Sequence, residues 1–205
     1  MTDGWITHWT ITPSTLKRLH GVEHRLPHDV TELDAGLWLL DRTSDHRTHQ
    51  VVERYARYFR REFGYDFAPY CTADPYRPHE TQAWLWVTLG LESWCVLGAA
   101  CLRYRTYTNV PESFWALQWV WLHPYARHKR LFTAAWPIWL ETYGAVELEP
   151  PVSPTVTYIV RQTPTRTLLS TEGDPVTLYV HTQEEDACPL SPAMPRLTSG
   201  SISRA

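Results

Sequence analysis

The chain has 205 residues, with 16 Pro, 11 Trp, 11 Tyr and 10 His, and a formal net charge of −3. That length suits one domain of roughly 150–200 residues with tails. The mild acidity gives no global electrostatic drive toward nucleic acid or an anionic membrane, and no apolar run approaches the ~20 residues of a bilayer span. The four cysteines, Cys71, Cys95, Cys101 and Cys188, form no Cys-x-x-Cys pair. Neither a zinc framework nor a disulfide scaffold is expected, and Cys95 and Cys101 read as core residues in an apolar run. The N-terminus lacks a charged head followed by an apolar core, so a cytoplasmic protein is expected.

Along the chain, Trp5, Ile6, Trp9 and Ile11 suggest a short strand or extended arm, followed by a short helix near Thr15–His20 that Gly21 ends. Gly36–Leu40 is apolar and reads as strand or buried turn. From Asp45 to Phe63, Val51, Val52, Tyr55, Tyr58, Phe59 and Phe63 recur at helical spacing, with Arg47, Arg54, Arg57, Arg60 and Arg61 between them. This predicts an amphipathic helix with a solvated arginine face, closed by Gly64. Residues 65–80 read as a loop.

Three apolar runs follow, Ala83–Leu89, Trp94–Tyr107 and Phe114–Leu122, separated by the short turns Gly90–Ser93 and Asn109–Glu112. Short turns predict antiparallel hairpins. Pro124 ends the third run, and a helix is expected from about Arg127 to Thr142, closed by Gly144, with Pro137 as a defect inside it. Ala145–Glu149 reads as a short strand ended by Pro150 and Pro151. Ser153 is a plausible N-cap for a helix over Pro154–Gln162, and Val176–His181 reads as a last strand. The order predicts an α/β fold, a mixed, mostly antiparallel sheet flanked by helices. Its later strand–helix–strand unit should be parallel. The expected organisation is a single domain over 1–187, with 1–44 a divergent N-terminal part and 188–205 a disordered Pro- and Ser-rich tail.

The most informative stretch runs from Trp115 to Tyr143: an apolar strand, His123-Pro124, the basic turn Arg127, His128, Lys129 and Arg130, and an apolar helix. A helix start presents unpaired N–H groups and a partial positive charge, so this turn is built to hold an anion. The histidines suggest a metal less well. His20, His24 and His28 are spaced four apart, but Gly21 and Pro27 break the helix that spacing needs, and His46 and His49 have no companion motif.

The run Val120–Phe132 resembles the acetyl-CoA-binding motif of the Gcn5-related N-acetyltransferases, the GNAT superfamily. There an apolar strand ending in x-Pro leads to Arg/Gln-x-x-Gly-x-Gly/Ala and a helix. Arg127 falls at the Arg/Gln position; Arg130 and Phe132 stand where the two small residues are expected. The resemblance covers roughly Ala83–Gln162 and implies a GNAT-like fold. It also implies acetyl-CoA as cosubstrate and an acetyl group transferred to an amine on a protein, an aminoacyl-tRNA or a small molecule.

By the same resemblance, the strand through Trp119–Leu122 splays from Ala145–Glu149, and the gap takes the pantetheine arm along the backbone of Trp121, Leu122 and His123. Arg127, His128, Lys129, Arg130, Leu131 and Phe132 hold the pyrophosphate. Tyr158 is the nearest candidate acid, Glu149 a candidate base with Glu147 a weaker one, and Ser153 could line the site. Two other classes stand beside this reading: a non-catalytic binding protein on the same fold that has lost cofactor use, and a nucleic-acid-associated protein using the basic faces. Net acidity disfavours the latter.

Overall fold

The computed structural model describes residues 10–11, 23–26, 35–40, 44, 46–66, 69–72, 81–89, 94–171 and 173–181. The expected helix at 15–20, the turn at 90–93 and the tail from 188 lie outside them. Among the described residues, nine strands form one sheet: β1 (Thr10–Ile11), β2 (Glu23–Arg25), β3 (Ala35–Leu40), β4 (Thr81–Leu89), β5 (Trp94–Arg105), β6 (Phe114–Leu122), β7 (Ala145–Leu148), β8 (Thr165–Leu169) and β9 (Pro175–Val180). The order is β2-β3-β4-β5-β6-β7-β9-β8, with β1 beside the start of β5. Among the described residues, only the β6–β7 pair is parallel. This is a mixed α/β fold with a central, mostly antiparallel sheet flanked by helices.

Helix α1 (His46–Phe63) packs on one face of the sheet, through Val51, Val52, Tyr55, Ala56 and Phe59. Its arginines at 47, 54, 57, 60 and 61 are all exposed, as expected of a solvated face. Gly64, at φ +72°, ends the helix, and Tyr65 N–H turns back to Arg60 O at 3.0 Å. A left-handed residue at this position is a common helix stop, and glycine takes it without strain.

Helix α2 (Leu131–Tyr143) covers the opposite face, with Leu131, Phe132, Ala135, Trp136 and Trp139 buried. Thr133, Pro137, Glu141 and Thr142 form its exposed stripe. The tryptophan excess is explained here. Each large indole adds buried area, and several also find an acceptor. Trp84 donates to the Tyr143 hydroxyl at 2.8 Å, Trp86 to Leu131 O at 3.2 Å and Trp136 to Thr163 Oγ1 at 2.8 Å.

Several boundaries differ from the sequence reading. Helix α2 begins at Leu131 rather than Arg127, because His128 and Arg130 adopt positive φ of 62° and 56° and cannot continue a right-handed helix. Before it, Pro124–Ala126 forms one 3-10 turn. Pro137 lies within the helix, where it leaves the Thr133 carbonyl without its usual i+4 donor. Helix α3 (Pro154–Val160) has the expected cap, Val156 N–H donating to Ser153 Oγ at 3.2 Å, but ends two residues early. Strands β2 and β8 were not expected.

Candidate functional site

Strand β6 carries an irregularity that shapes everything near it. Cys101 on β5 pairs with Trp119, and Leu102 pairs with Leu117, so Gln118 is an extra residue in β6. A bulge of this kind switches which face the following side chains take. Leu117 accordingly packs with the α2 face, whereas Trp119 and Trp121 pack with α1.

The β6–β7 ladder stops at the same place. It joins Trp115–Leu117 to Val146–Leu148, and Glu149 N–H adds a last bond to Leu117 O at 3.1 Å. Pro150 and Pro151 follow, and proline has no N–H to extend a ladder. The strands therefore fork. The β6 backbone from Gln118 to Leu122 borders a cleft whose far wall is the start of α3.

Two connected cavities fill the fork, sharing Phe63, Val120, Ser153 and Val156. The inner one, about 270 Å³, lies between Phe59, Tyr65, Gln118 and Trp119 on one side and Leu148, Glu149 and Pro151 on the other. The outer one, about 460 Å³, runs past Trp121 and Leu122 to Arg127 and the start of α2. There the first intrahelical bond is Ala134 N–H to Arg130 O at 2.9 Å. The N–H groups of Leu131, Phe132 and Thr133 thus precede the helical ladder, on residues that line the cavity.

Arg127 is already engaged at this mouth. Its Nε donates to Leu122 O at 2.9 Å and its Nη2 to Glu62 Oε2 at 2.6 Å, with the guanidinium 5.6 Å from the Trp121 ring centre. The Trp121 indole donates to the same Glu62 oxygen at 2.7 Å. Hydrogen bonding from Arg127 holds the Glu62 carboxyl below its ordinary value, against the opposing effect of burial.

In the inner cavity, Glu149 Oε1 accepts from Arg105 Nε at 2.7 Å and from Nη2 at 2.6 Å. Burial first, and the Glu149 charge second, push the Tyr65 phenol upward. Tyr65 and Glu149 line the same cavity. Glu147 accepts from the Tyr107 hydroxyl at 3.2 Å, and burial raises its carboxyl.

The expected site residues divide clearly. Trp121, Leu122, Arg127, His128, Arg130, Leu131 and Phe132 meet at the outer cavity, Glu149 lines the inner one, and Ser153 borders both. His123, Lys129, Glu147 and Tyr158 line neither. His123 N–H is spent on Leu97 O at 2.8 Å, and its ring lies 3.9 Å from that of Tyr125. Tyr158 is 62% exposed on the outer side of α3, its ring under Arg161 at 3.9 Å. His46 and His49 turn to Gln50 and Tyr70 instead of toward the cleft. Glu62, Phe63, Tyr65 and Gln118 line the site without having been singled out in the sequence. The one local signal for the first three was Gly64, which ends α1 at the cleft.

The architecture defines this chain as a mixed α/β protein with a forked sheet and a cleft leading to a helix start. No protein-family model matches it, and no curated protein matches it. Among the described residues, no helix is long and apolar enough to cross a membrane.

Proposed function

We propose that this chain is an acyl-CoA-dependent N-acetyltransferase of the GNAT type. The observation that carries this reading is the fork between β6 and β7, with a cleft that runs from Glu149 to the amides at the start of α2. A cleft bordered by one free strand edge suits an extended, amide-bearing arm such as pantetheine, which can pair with backbone groups as a strand would. Its outer end suits a pyrophosphate: helix N-terminal amides with His128 and Arg130 beside them. Acetyl-CoA would supply an activated acyl carbon.

The chain's own residues divide the remaining work. The backbone from Gln118 to Leu122 orients the arm, and Val120 and Val156 exclude water around it. Glu149 accepts a proton from the incoming ammonium directly or through water. Tyr65 holds a proton available for a departing thiolate, taking the part that the sequence reading gave to Tyr158.

A second reading has its own support. Glu62 occupies Arg127, and the buried Phe132 ring stacks on Trp136 with centroids 5.9 Å apart, where the family motif has a small residue. Both features favour a binding protein with reduced cofactor use. Thermal-shift and calorimetric titration with acetyl-CoA tests the proposal. A ligand at 100 times its Kd stabilises by about 2.7 kcal/mol. No shift at millimolar acetyl-CoA removes the enzyme reading, and binding without amine-dependent release of free CoA favours the second.

A further inference from the structure

We infer that the inner cavity selects a small primary amine carried on a flat aromatic body; this rests on the acyltransfer reading above. Phe59 anchors one wall and is 8% exposed. Its ring centre lies 5.0 Å from Phe63, 4.9 Å from Tyr65 and 5.8 Å from Trp119, at interplanar angles of 47°, 36° and 40°. These spacings are those of mutually packed rings, and Phe63, which lines the cavity and is half-exposed, has surface left for a further ring. Leu148, Pro151 and Val156 close the other side with apolar surface.

The polar groups are few and placed for an amine. Glu149 is the one charged residue among those lining the cavity, which favours an ammonium and disfavours an anion. Arg105 occupies Glu149 Oε1 and offsets much of its charge, so the aromatic faces must supply most of the discrimination. Gln118 Oε1 and Trp119 Nε1 are buried and have no hydrogen-bond partner among the described residues. Both atoms are also closed off from the cavity, so Glu149 is its charged contact for an amine.

Size and charge narrow the class further. At about 270 Å³ the cavity falls below the usual ~300–1,000 Å³ of small-molecule pockets. That volume suits one ring and a short arm. A polyamine or free lysine would bring a second cation, or a carboxylate, with no counter-charge in this cavity. In the reaction the amine nitrogen bonds to the thioester carbonyl carbon and the C–S bond breaks. One ammonium proton leaves to solvent by way of Glu149, and a second goes to the departing thiolate, giving an amide and free CoA.

The test uses the full chain, saturating acetyl-CoA and a thiol-release assay with 2-phenylethylamine, tryptamine, ethanolamine, putrescine and lysine. The aromatic amines should show kcat/KM at least 10-fold above the others. Phe63→Ala, at a side chain 51% exposed, should cut the phenylethylamine-to-ethanolamine ratio at least 3-fold. Any effect on acetyl-CoA cancels in that ratio. A thermal shift with phenylethylamine alone gives a readout that needs no turnover. Equal kcat/KM across the amines, or acetylation of peptides only, overturns the inference and leaves acyltransfer standing. A phenylethylamine shift without any acetyl-CoA binding supports the amine site and overturns acyltransfer.

Discussion

Glu62 and Arg127 close a bond across the cleft mouth: Nη2 of the turn arginine sits 2.6 Å from Oε2 of the helix-end glutamate. The residues come from α1 and from the turn before α2, so the pair ties the two faces of the sheet together. It also sets a competition, because an entering phosphate would need the same guanidinium.

The first prediction follows from that competition. Glu62→Gln should tighten acetyl-CoA several-fold by freeing Arg127, whereas Arg127→Ala should weaken it about 10-fold. Isothermal titration of both variants checks this, and equal affinities for both would mean Arg127 is not at the phosphate site.

The same pair predicts a pH dependence. The Glu62 carboxyl is depressed in the folded state, so its contribution is present above the unfolded value of roughly 4.3 and is lost as pH falls through the folded one. The pair is about one-third exposed, which limits it to about 1 kcal/mol or less. Urea denaturation should find Glu62→Gln less stable than the parent at pH 7 and the difference gone near pH 3.

Gly98 is required by space. A Cβ there would meet Trp121 O and Leu122 Cδ2 at 2.6 Å each, and the carbonyl belongs to the backbone of β6. Gly98→Ala should cost about 1–3 kcal/mol by denaturant titration and disturb the cleft edge at Leu122. A variant as stable as the parent would contradict the close approach of these strands.

Arg130 occupies the left-handed region with φ 56° and ψ 17°, where an L side chain costs roughly 1–2 kcal/mol. Arg130→Gly should raise stability by up to about 1 kcal/mol, after allowing for the greater freedom of the unfolded glycine chain. Arg130→Val should lower it by about 1–3 kcal/mol. Equilibrium unfolding of the two variants separates this backbone effect from the loss of a cation, which both share.

Ser153 caps α3 and so fixes Val156 at the cleft. Ser153→Ala should cost about 1 kcal/mol. Ser153→Asp should retain the cap, and thermal melts of the two variants give the comparison.

Much of this was readable where the determinant is local. The periodicity of Val51 to Phe63, the stop at Gly64, the run from Phe114 to Leu122 and the Ser153-Pro154 cap each depend on near neighbours in sequence. What escaped depends on distant partners. Strand β8 is largely exposed, from Thr165 to Leu169, so its sequence shows no apolar alternation; pairing with β9 makes it a strand. Gln118 reads as an ordinary strand residue, and only its alignment with β5 reveals the bulge. Glu62 carries no local signal, because its partner lies 65 residues away. The start of α2 was misplaced because two non-glycine residues take positive φ there.

Pro150 and Pro151 give the cleft a property that no side chain on its walls could supply. With no amide protons to offer at the two positions after Glu149, β7 does not zip further along β6. The open edge is therefore a fixed state of the sheet, not one that a ligand must first pry apart. A guest that pairs with that edge meets a preorganised host, and less of its binding free energy goes into separating strands.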